Sequence, residues 1–127
     1  MSAEADRLGS EKYVLLTTFR RNGNAVATPI WLAQSGDELA VWTERNSGKV
    51  KRIRATGKVT VQACDVRGRK THGAVANGVG RVADDAQTEQ IRELIKKKYG
   101  LLGRLTMFGS SLRGGRDRTV GVFIKLD

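Results

Sequence analysis

The sequence predicts a mainly β protein, a small antiparallel barrel of six strands with two helices packed outside it. Three observations support this fold class. Segments rich in β-branched and aromatic residues recur along the chain, turns containing Gly, Asn or Ser separate them, and only two stretches show helical periodicity. At 127 residues the chain has the length of one domain, which we place at 1–127, and it can bury a core without cross-links.

The strands are identified by apolar runs that are bounded by turn residues. Arg-Asn-Gly-Asn at 21–24 joins the first two strands as a hairpin, and the glycines of the fifth strand indicate a bulge or a close approach of another group. Pro29 lies inside the second strand. Because proline cannot donate to a central ladder, we expect an edge position, a bulge or a ligand-facing opening there. The predicted strands are 12–20, 24–34, 38–44, 58–66, 71–84 and 118–126.

A short helix is predicted over 48–56. Ser47 is a good N-cap, Val50 and Ile53 are three residues apart, and Gly57 ends the pattern.

A second helix is predicted to begin at Asp84 or Asp85 and to end before Gly100. Residues 101–115 are predicted to be a connection rich in Gly and Arg with some helical turns. The buried stripe of this helix is expected to comprise Ile91, Leu94 and Ile95.

The composition restricts the classes of function. A net charge of +10 favours anionic partners, namely nucleic acid, phosphorylated cofactors, acidic metabolites or membrane surfaces. Aromatic residues are only 6% of the chain, too few for the stacking platform of a single-strand binder, so nucleic acid is disfavoured. With no signal peptide, no membrane span and one cysteine, we expect a soluble cytoplasmic protein.

Metal and acid–base chemistry find little support in the sequence. Cys64 alone excludes a disulfide framework and a Cys-based zinc site, and His72 alone excludes a multi-histidine metal site. We predict no metal ligands and assign no catalytic acid or base. Cys64 is expected to be a buried apolar residue, and Asp65 to contact a ligand or to start a turn.

The segment Ser47-Gly48-Lys49 has the pattern of an anion site at a helix N-terminus. The free amides after a capping serine point outward, Gly48 allows close approach, and Lys49 supplies a charge, with Lys51 and Arg52 extending the positive rim. The alternative is an ordinary capped helix with a solvated basic face. A second basic loop carries Arg113, Arg116 and Arg118 and could bind a polyanionic tail or be a solvated loop.

Two tryptophans lie in neighbouring predicted strands, within Thr28-Pro29-Ile30-Trp31 and Val41-Trp42-Thr43. Alternation places Thr28 and Ile30 on one face and Pro29 and Trp31 on the other. One tryptophan could form the floor beneath a planar heterocycle, or both could be core residues. An anion site without acid–base machinery is typical of a protein that holds a phosphorylated cofactor with its own chemistry.

The runs EKYVLLTTFRRNG, ATPIW, ELAVWTERNSGKVKRIR and VTVQACDVRGR, with KKKYGL and RDRTV near the end, resemble a known superfamily. It is the pyridoxamine 5'-phosphate oxidase-like split β-barrel superfamily. More narrowly, the sequence is similar to its actinobacterial branch of oxidoreductases that depend on the deazaflavin coenzyme F420.

This resemblance implies a homodimer with a cofactor in a groove at each end of the subunit interface, and hydride transfer to an unsaturated small organic substrate. The superfamily also contains users of flavin mononucleotide (FMN) and haem-related or biliverdin-reducing members. FMN is therefore the alternative cofactor, and a non-catalytic F420 or flavin carrier or a basic nucleic-acid-binding module is the alternative function.

The resemblance also implies roles for individual residues. Arg54 and the arginines of 113–118 are candidates for the oligoglutamate tail of F420. The residues implied at the site are Ser47, Gly48, Lys49 and Lys51 or Arg52 at the cofactor phosphate, Thr28, Pro29 and Trp31 beneath the ring, and Thr43 at the border.

Overall fold

A computed structural model describes residues 3–114 and 119–127, with side chains described for 3–100 and 119–127. These ranges contain seven strands and three helices. The elements are α1 Ala3–Gly9, β1 Val14–Phe19, β2 Ala25–Ile30, β3 Leu32–Ser35, β4 Glu38–Glu44, α2 Gly48–Thr56, β5 Lys58–Cys64, β6 Thr71–Val82, α3 Asp85–Gly114 and β7 Thr119–Leu126.

The strands form one antiparallel sheet in the order β2-β1-β5-β6-β7-β4-β3. Its two edge strands, β2 and β3, are consecutive in the chain and are separated by Trp31 alone. Because alternate Cα atoms are at most about 7 Å apart, the sheet must curl until the end of β2 meets the start of β3. The edges do not pair with each other, so the barrel is split along this seam, and the mainly β prediction is confirmed.

The prediction of a single strand over 24–34 is wrong, and the sheet has seven strands where six were predicted. The segment divides at Trp31, because β2 pairs with β1 whereas β3 pairs with β4. Pro29 lies on the edge strand β2, where its missing amide hydrogen costs no ladder bond on the open side. The edge position expected for Pro29 is confirmed.

The glycine-rich strand β6 has both features predicted from its composition. Val61 pairs with Ala76 and Ala63 with His72, so the register shifts and β6 bulges, with Gly73 at φ 74°. Gly78 lies where β7 approaches closely, and a Cβ there would be 2.8 Å from the carbonyl oxygen of Lys125.

The helices number three in the described residues, where two were predicted. Helix α1 was missed because it is only seven residues long and mostly polar, although Ala5 and Leu8 are fully buried. Helix α3 was expected to end before Gly100. The backbone of Gly100 is non-helical (φ 60°, ψ −135°), a conformation that glycine tolerates, so the predicted interruption is confirmed, and a second helical segment continues from there to Gly114.

The start of α3 confirms the predicted cap. The Asp84 carboxylate accepts a hydrogen bond from the Gln87 amide at 2.7 Å, and the Gln87 side chain accepts from the Asp84 amide at 3.1 Å. This reciprocal pair is a capping box. No helix in the described part of the chain is long and apolar enough to cross a membrane.

Two apolar layers flank the sheet. The barrel interior is filled by residues such as Leu16, Leu39, Val61 and Ile124. A second layer lies between α3 and the outer face of β3, β4 and β7, and Ile91 and Ile95 of the predicted stripe are fully buried there. The outer face of β2, β1, β5 and β6 leaves Val75 and Val79 more than half exposed.

Helix α2 is fixed to the barrel at both its middle and its end. Val50 and Ile53 are buried, and Gly57 ends the helix in the left-handed region at φ 74°. The Gly57 amide donates to the Ile53 carbonyl at 2.8 Å, and the Gly57 carbonyl accepts from the Gly80 amide at 2.7 Å. The orientation of α2 therefore depends on Gly57.

We expect Gly57→Ala to destabilise the protein more than the matched control Gly36→Ala. Both glycines have positive φ, which costs an L-residue about 1–2 kcal/mol. Only at position 57 would the new Cβ also meet Val79 and the Gly80 carbonyl, at 3.2 and 3.4 Å, whereas nothing lies within 4 Å at Gly36. Chemical denaturation measures both free energies of unfolding, and equal losses would contradict this close approach.

Candidate functional site

The N-terminus of α2 presents free backbone donors at the end of β4. Ser47 has extended backbone (φ −73°, ψ 159°), and its hydroxyl oxygen accepts from the Val50 amide at 3.4 Å, which confirms the predicted cap. The first intrahelical bond runs from the Lys51 amide to the Ser47 carbonyl at 3.3 Å. The amides of Gly48 and Lys49 precede it, so they lie at the positive end of the helix dipole.

Arg52 folds back over this N-terminus. A Cβ built on Gly48 would lie 2.6 Å from Nη1 of Arg52, so the missing side chain at 48 makes room for the guanidinium. The N-terminus of a helix is the positive end of its dipole, so a cation there is unfavourable unless an anion binds beside it. Ser47, Gly48, Lys49 and Arg52 together are called the basic cradle below.

Thr18 holds Arg52 in this position. Nε of Arg52 donates to Oγ1 of Thr18 at 2.6 Å, and Thr18 is fully buried in β1. Sequence reasoning missed Thr18, because the contact joins residues 34 positions apart and a threonine in a strand carries no local signal.

Lys49 is the second cation of the basic cradle. Burial lowers the pKa of its half-buried ammonium, the nearby Arg52 lowers it further, and Glu44 opposes both effects. Both causes of the lowered pKa disfavour the charged form. A bound anion would offset them, so Lys49 is suited to contact a negatively charged group.

Thr28 shares the inner face of the sheet with Thr18. The register pairs Thr28 with Leu16 and Val26 with Thr18, which places both threonines on the same side of the β1–β2 pair. Oγ1 of Thr28 is buried and has no hydrogen-bond partner among the described residues. An orphaned buried hydroxyl is uncommon, and a polar group of a ligand could satisfy it.

Pro29 lies on the opposite face from Thr28, as alternation predicted. It is opposite Leu15, and a Cβ on Gly68 in the β5–β6 turn would lie 3.3 Å from its Cδ. The structure therefore does not bring Pro29 together with the basic cradle. Thr43 is half-buried on β4, opposite Val120 and four residues before Ser47.

The two tryptophans lie in packed surroundings. Trp31 stacks on Tyr99 with ring centroids 4.2 Å apart and an interplanar angle of 6°, so a planar ligand could meet only its other face. Trp42 packs in the α3 layer, with the Arg92 guanidinium 5.6 Å from its ring. The two tryptophans were expected either to form the floor beneath a planar ligand or to be core residues. These contacts agree with the second interpretation.

Lys98 and Tyr99, within the KKKYGL run, fasten α3 to the barrel seam. Nζ of Lys98 donates to the carbonyls of Gly9, Glu11 and Leu32 at 2.8, 2.5 and 2.9 Å. Although the residue is largely exposed, burial of its ammonium lowers its pKa to about 8. The Tyr99 hydroxyl donates to the Lys12 carbonyl at 2.6 Å and accepts from the Leu32 amide at 3.1 Å. These contacts are structural.

Three other candidates also have structural roles. Asp65 starts the β5–β6 turn, where its carboxylate accepts from the Arg69 amide at 2.9 Å. Cys64 is buried, and burial raises the pKa of its thiol, as expected of an unreactive cysteine. Nε2 of His72 lies 2.6 Å from the Glu11 carboxylate.

The arginines considered for an acidic tail are only partly described. Arg54 is exposed on α2. Arg116 and Arg118 lie outside the described residues, and so does the side chain of Arg113.

In the described part of the chain, two of the concavities lie beside helices. One of about 270 Å³ lies between the β1–β2 turn and α2, next to the basic cradle; it is called the hairpin pocket and is lined by Phe19, Arg20, Arg21, Lys51, Arg52 and Ala55. A larger one of about 830 Å³ lies along α3, lined by Glu89, Gln90, Glu93, Leu94, Lys96 and Lys97. Its described lining comes from one helix and mixes both signs of charge, so the smaller pocket is the better candidate for an anionic ligand.

The described residues fit the phosphate of a nucleotide-like cofactor. Backbone amides at a helix N-terminus, a half-buried lysine and an anchored arginine are the donors that a phosphate requires. The orphaned Thr28 hydroxyl offers a further polar contact on the same face of the sheet as Thr18.

Comparison with solved structures finds proteins that share this fold at low sequence identity. An F420 reductase superposes with a TM-score of 0.61 at 16% identity, covering 100% of this chain and 96% of that one. A FAD-binding protein from Mesorhizobium loti gives 0.65 at 18% identity, covering 100% and 91%. The heme storage protein HutZ from Vibrio cholerae gives 0.70 at 10% identity, covering 98% and 88%.

Among curated proteins, no sequence matches the chain. The family model described as pyridoxamine 5'-phosphate oxidase matches residues 2–120, which is nearly the whole sequence. With its split barrel and the basic cradle at the start of α2, the chain belongs to the pyridoxamine 5'-phosphate oxidase family.

Proposed function

We propose that this protein is an oxidoreductase of the F420-dependent branch of its family, that it binds coenzyme F420 in the cytoplasm, and that it transfers a hydride to an unsaturated small organic substrate. The observation that carries the proposal is the basic cradle, in which Arg52 lies over Gly48 at the start of α2 and the half-buried Lys49 lies near Arg52. This arrangement suits a phosphate, which F420, FMN and FAD all contain.

The chain's own residues would bind and orient the cofactor. The basic cradle would hold the phosphate, Thr28 would donate to a polar atom of the ring system or its side chain, and Thr43 would border the site. The bound deazaflavin would supply the hydride chemistry. The protein would orient the cofactor and the substrate and exclude water. No acid or base on the chain is assigned a role in the reaction.

We also propose that the active form is a homodimer. The outer face of β2, β1, β5 and β6 carries the exposed Val75 and Val79. The C-terminal end of α2 borders this face, because a Cβ on its C-cap Gly57 would meet Val79 at 3.2 Å, and the basic cradle lies at the other end of this nine-residue helix. A second subunit on this face would lie beside α2 and could enclose a cofactor that is held by the basic cradle.

FMN is the second candidate cofactor. The family description and the FAD-binding structural neighbour favour a flavin, and the basic cradle suits the terminal phosphate of FMN equally well. Haem has less support, because the one histidine of the sequence lies away from the basic cradle. His72 is opposite Ala63, where β5 ends, whereas Thr18 and Arg52 lie at the other end of β5, beside Val59.

Lys49→Ala should lower the affinity for F420 roughly tenfold or more, since a hydrogen bond to a charged group is worth about 1.5–3 kcal/mol. The matched control is Lys125→Ala, which removes the same charge. Lys125 lies opposite Glu38, at the far end of β4 from the basic cradle, and its loss should change affinity little at moderate salt. Fluorescence titration with F420, with FMN as competitor, measures both variants.

The same titration tests the alternatives. Preference for FMN would replace F420 by the flavin. A third outcome is that moderate salt abolishes the binding of both cofactors and that Lys49→Ala and Lys125→Ala lose equal affinity. This would indicate a basic module that binds anions such as nucleic acid through charge alone. Saturable binding without turnover of any unsaturated substrate would indicate a cofactor carrier.

The affinity for the cofactor should fall as pH rises through the lowered pKa of Lys49. The charged ammonium binds the phosphate, so affinity is greatest below that pKa and is lost above it, at a lower pH than for an ordinary lysine. Lys49→Arg keeps its charge throughout this range and should flatten the profile. Titrations from neutral to alkaline pH check this, and identical profiles for the two proteins would contradict a role for Lys49.

Val79→Asp should convert a dimer to a monomer, because it places a charge on an exposed apolar position of the open sheet face. Ala86→Asp, at an exposed position at the start of α3, adds the same charge elsewhere and should leave the dimer intact. Sedimentation equilibrium measures the mass of both variants. A monomeric wild-type protein, or a Val79→Asp dimer as stable as wild type, would rule out this interface.

A further inference from the structure

Among the residues that the structure describes, the lining of the hairpin pocket includes four cations and no carboxylate. Arg20 and Arg21 come from the β1–β2 turn, Lys51 and Arg52 from α2, and Phe19 and Ala55 complete the lining. Within the part of the chain that the structure describes, none of the four cations forms an ion pair. Like charges around one concavity repel one another, and a bound anion relieves this repulsion.

The turn that carries the two arginines has a fixed backbone. The Gly23 amide donates to the Arg20 carbonyl at 2.9 Å, and the Arg20 amide donates to the Asn24 carbonyl at 2.9 Å. The Asn24 amide also donates to the Asn22 side chain at 3.0 Å, and Gly23 has the positive φ of 91° that the turn requires. The arginines therefore project from a defined position across the pocket from α2.

Arg52 joins the hairpin pocket to the basic cradle. The same guanidinium lies over Gly48, is anchored to Thr18 and lines the pocket, so the two sites share one cation. A ligand whose phosphate contacts the basic cradle can pass Arg52 and place its next charged group among Arg20, Arg21 and Lys51.

We propose that the hairpin pocket is a second anion subsite, which binds the next acidic group of the cofactor beyond its first phosphate. This inference rests on the proposed function. The group is a carboxylate of a glutamate tail in F420 or a second phosphate in a dinucleotide such as FAD, and both are anions that accept hydrogen bonds from guanidinium groups. Arg20 and Arg21 are the residues that this assignment adds to the site.

Two pairs of ligands test the subsite. The first pair is F420 with its oligoglutamate tail and the same deazaflavin truncated after the phosphate, and the second pair is FAD and FMN. Affinities are measured for the wild-type protein, for the double variant Arg20→Gln/Arg21→Gln, and for the control Lys12→Gln/Lys125→Gln. The control removes two charges from exposed positions outside the pocket.

We expect the arginine variant to bind the longer member of one pair roughly two- to thirty-fold more weakly, because it loses two exposed charge pairs with that ligand. The shorter member should bind as it does to wild type, and the control should change neither. A loss in the first pair identifies a carboxylate, and a loss in the second pair a phosphate.

Two results would overturn the subsite while leaving the proposed function intact: unchanged affinity for both longer ligands, or equal losses for the long and short members. Equal losses would mean that the arginines act only through the overall field of the protein. If the wild-type protein binds none of the four ligands, the proposed function itself fails, and the subsite fails with it.

Discussion

The anchoring of α2 is the constraint on which the candidate site depends. Val50 and Ile53 are buried against the barrel, and the left-handed Gly57 bonds the end of the helix to Gly80 of β6. A helix fixed at its middle and its end cannot turn, so its first amides keep one direction, set by the short connection from β4. The basic cradle is therefore a consequence of packing at the end of the barrel, and its donors are positioned before any ligand arrives.

The positive charges at the N-terminus of α2 destabilise the protein when no ligand is bound. Arg52 lies at the positive end of a helix, and Lys49 loses hydration beside it, as its lowered pKa shows. Thr18 offsets part of this cost with one hydrogen bond, but a neutral hydroxyl leaves the cationic charge uncompensated. Functional sites tolerate such local costs, and a ligand of opposite charge recovers them.

Features set by neighbours in sequence were predictable, and features set by distant pairings were not. Ser47 was identified as a cap, and the cap of α3 was narrowed to Asp84 or Asp85, because capping depends on three or four consecutive residues. The missing donor of Pro29 predicted an edge position, a bulge or a ligand-facing opening, and the edge position is the one observed. The division at Trp31, the stack of Trp31 on Tyr99 and the bond from Arg52 to Thr18 each depend on which segments meet across the barrel, and one sequence carries no local signal for that.

If the proposed function is correct, the selection of a cofactor must come from outside the basic cradle. A helix N-terminus with a lysine and an arginine recognises phosphate, the group that FMN, FAD and F420 have in common, so it provides affinity without discrimination. These cofactors differ in the ring system and in the groups attached beyond the phosphate. The ring would contact the Thr28 hydroxyl, which can pair with many polar groups, whereas a second negative charge would meet the arginines of the hairpin pocket. Specificity is a difference between affinities, so a contact that only some of these cofactors can make contributes to it, whereas a contact that all of them make does not. The choice of cofactor is therefore expected to depend more on Arg20 and Arg21 than on Ser47 or Lys49.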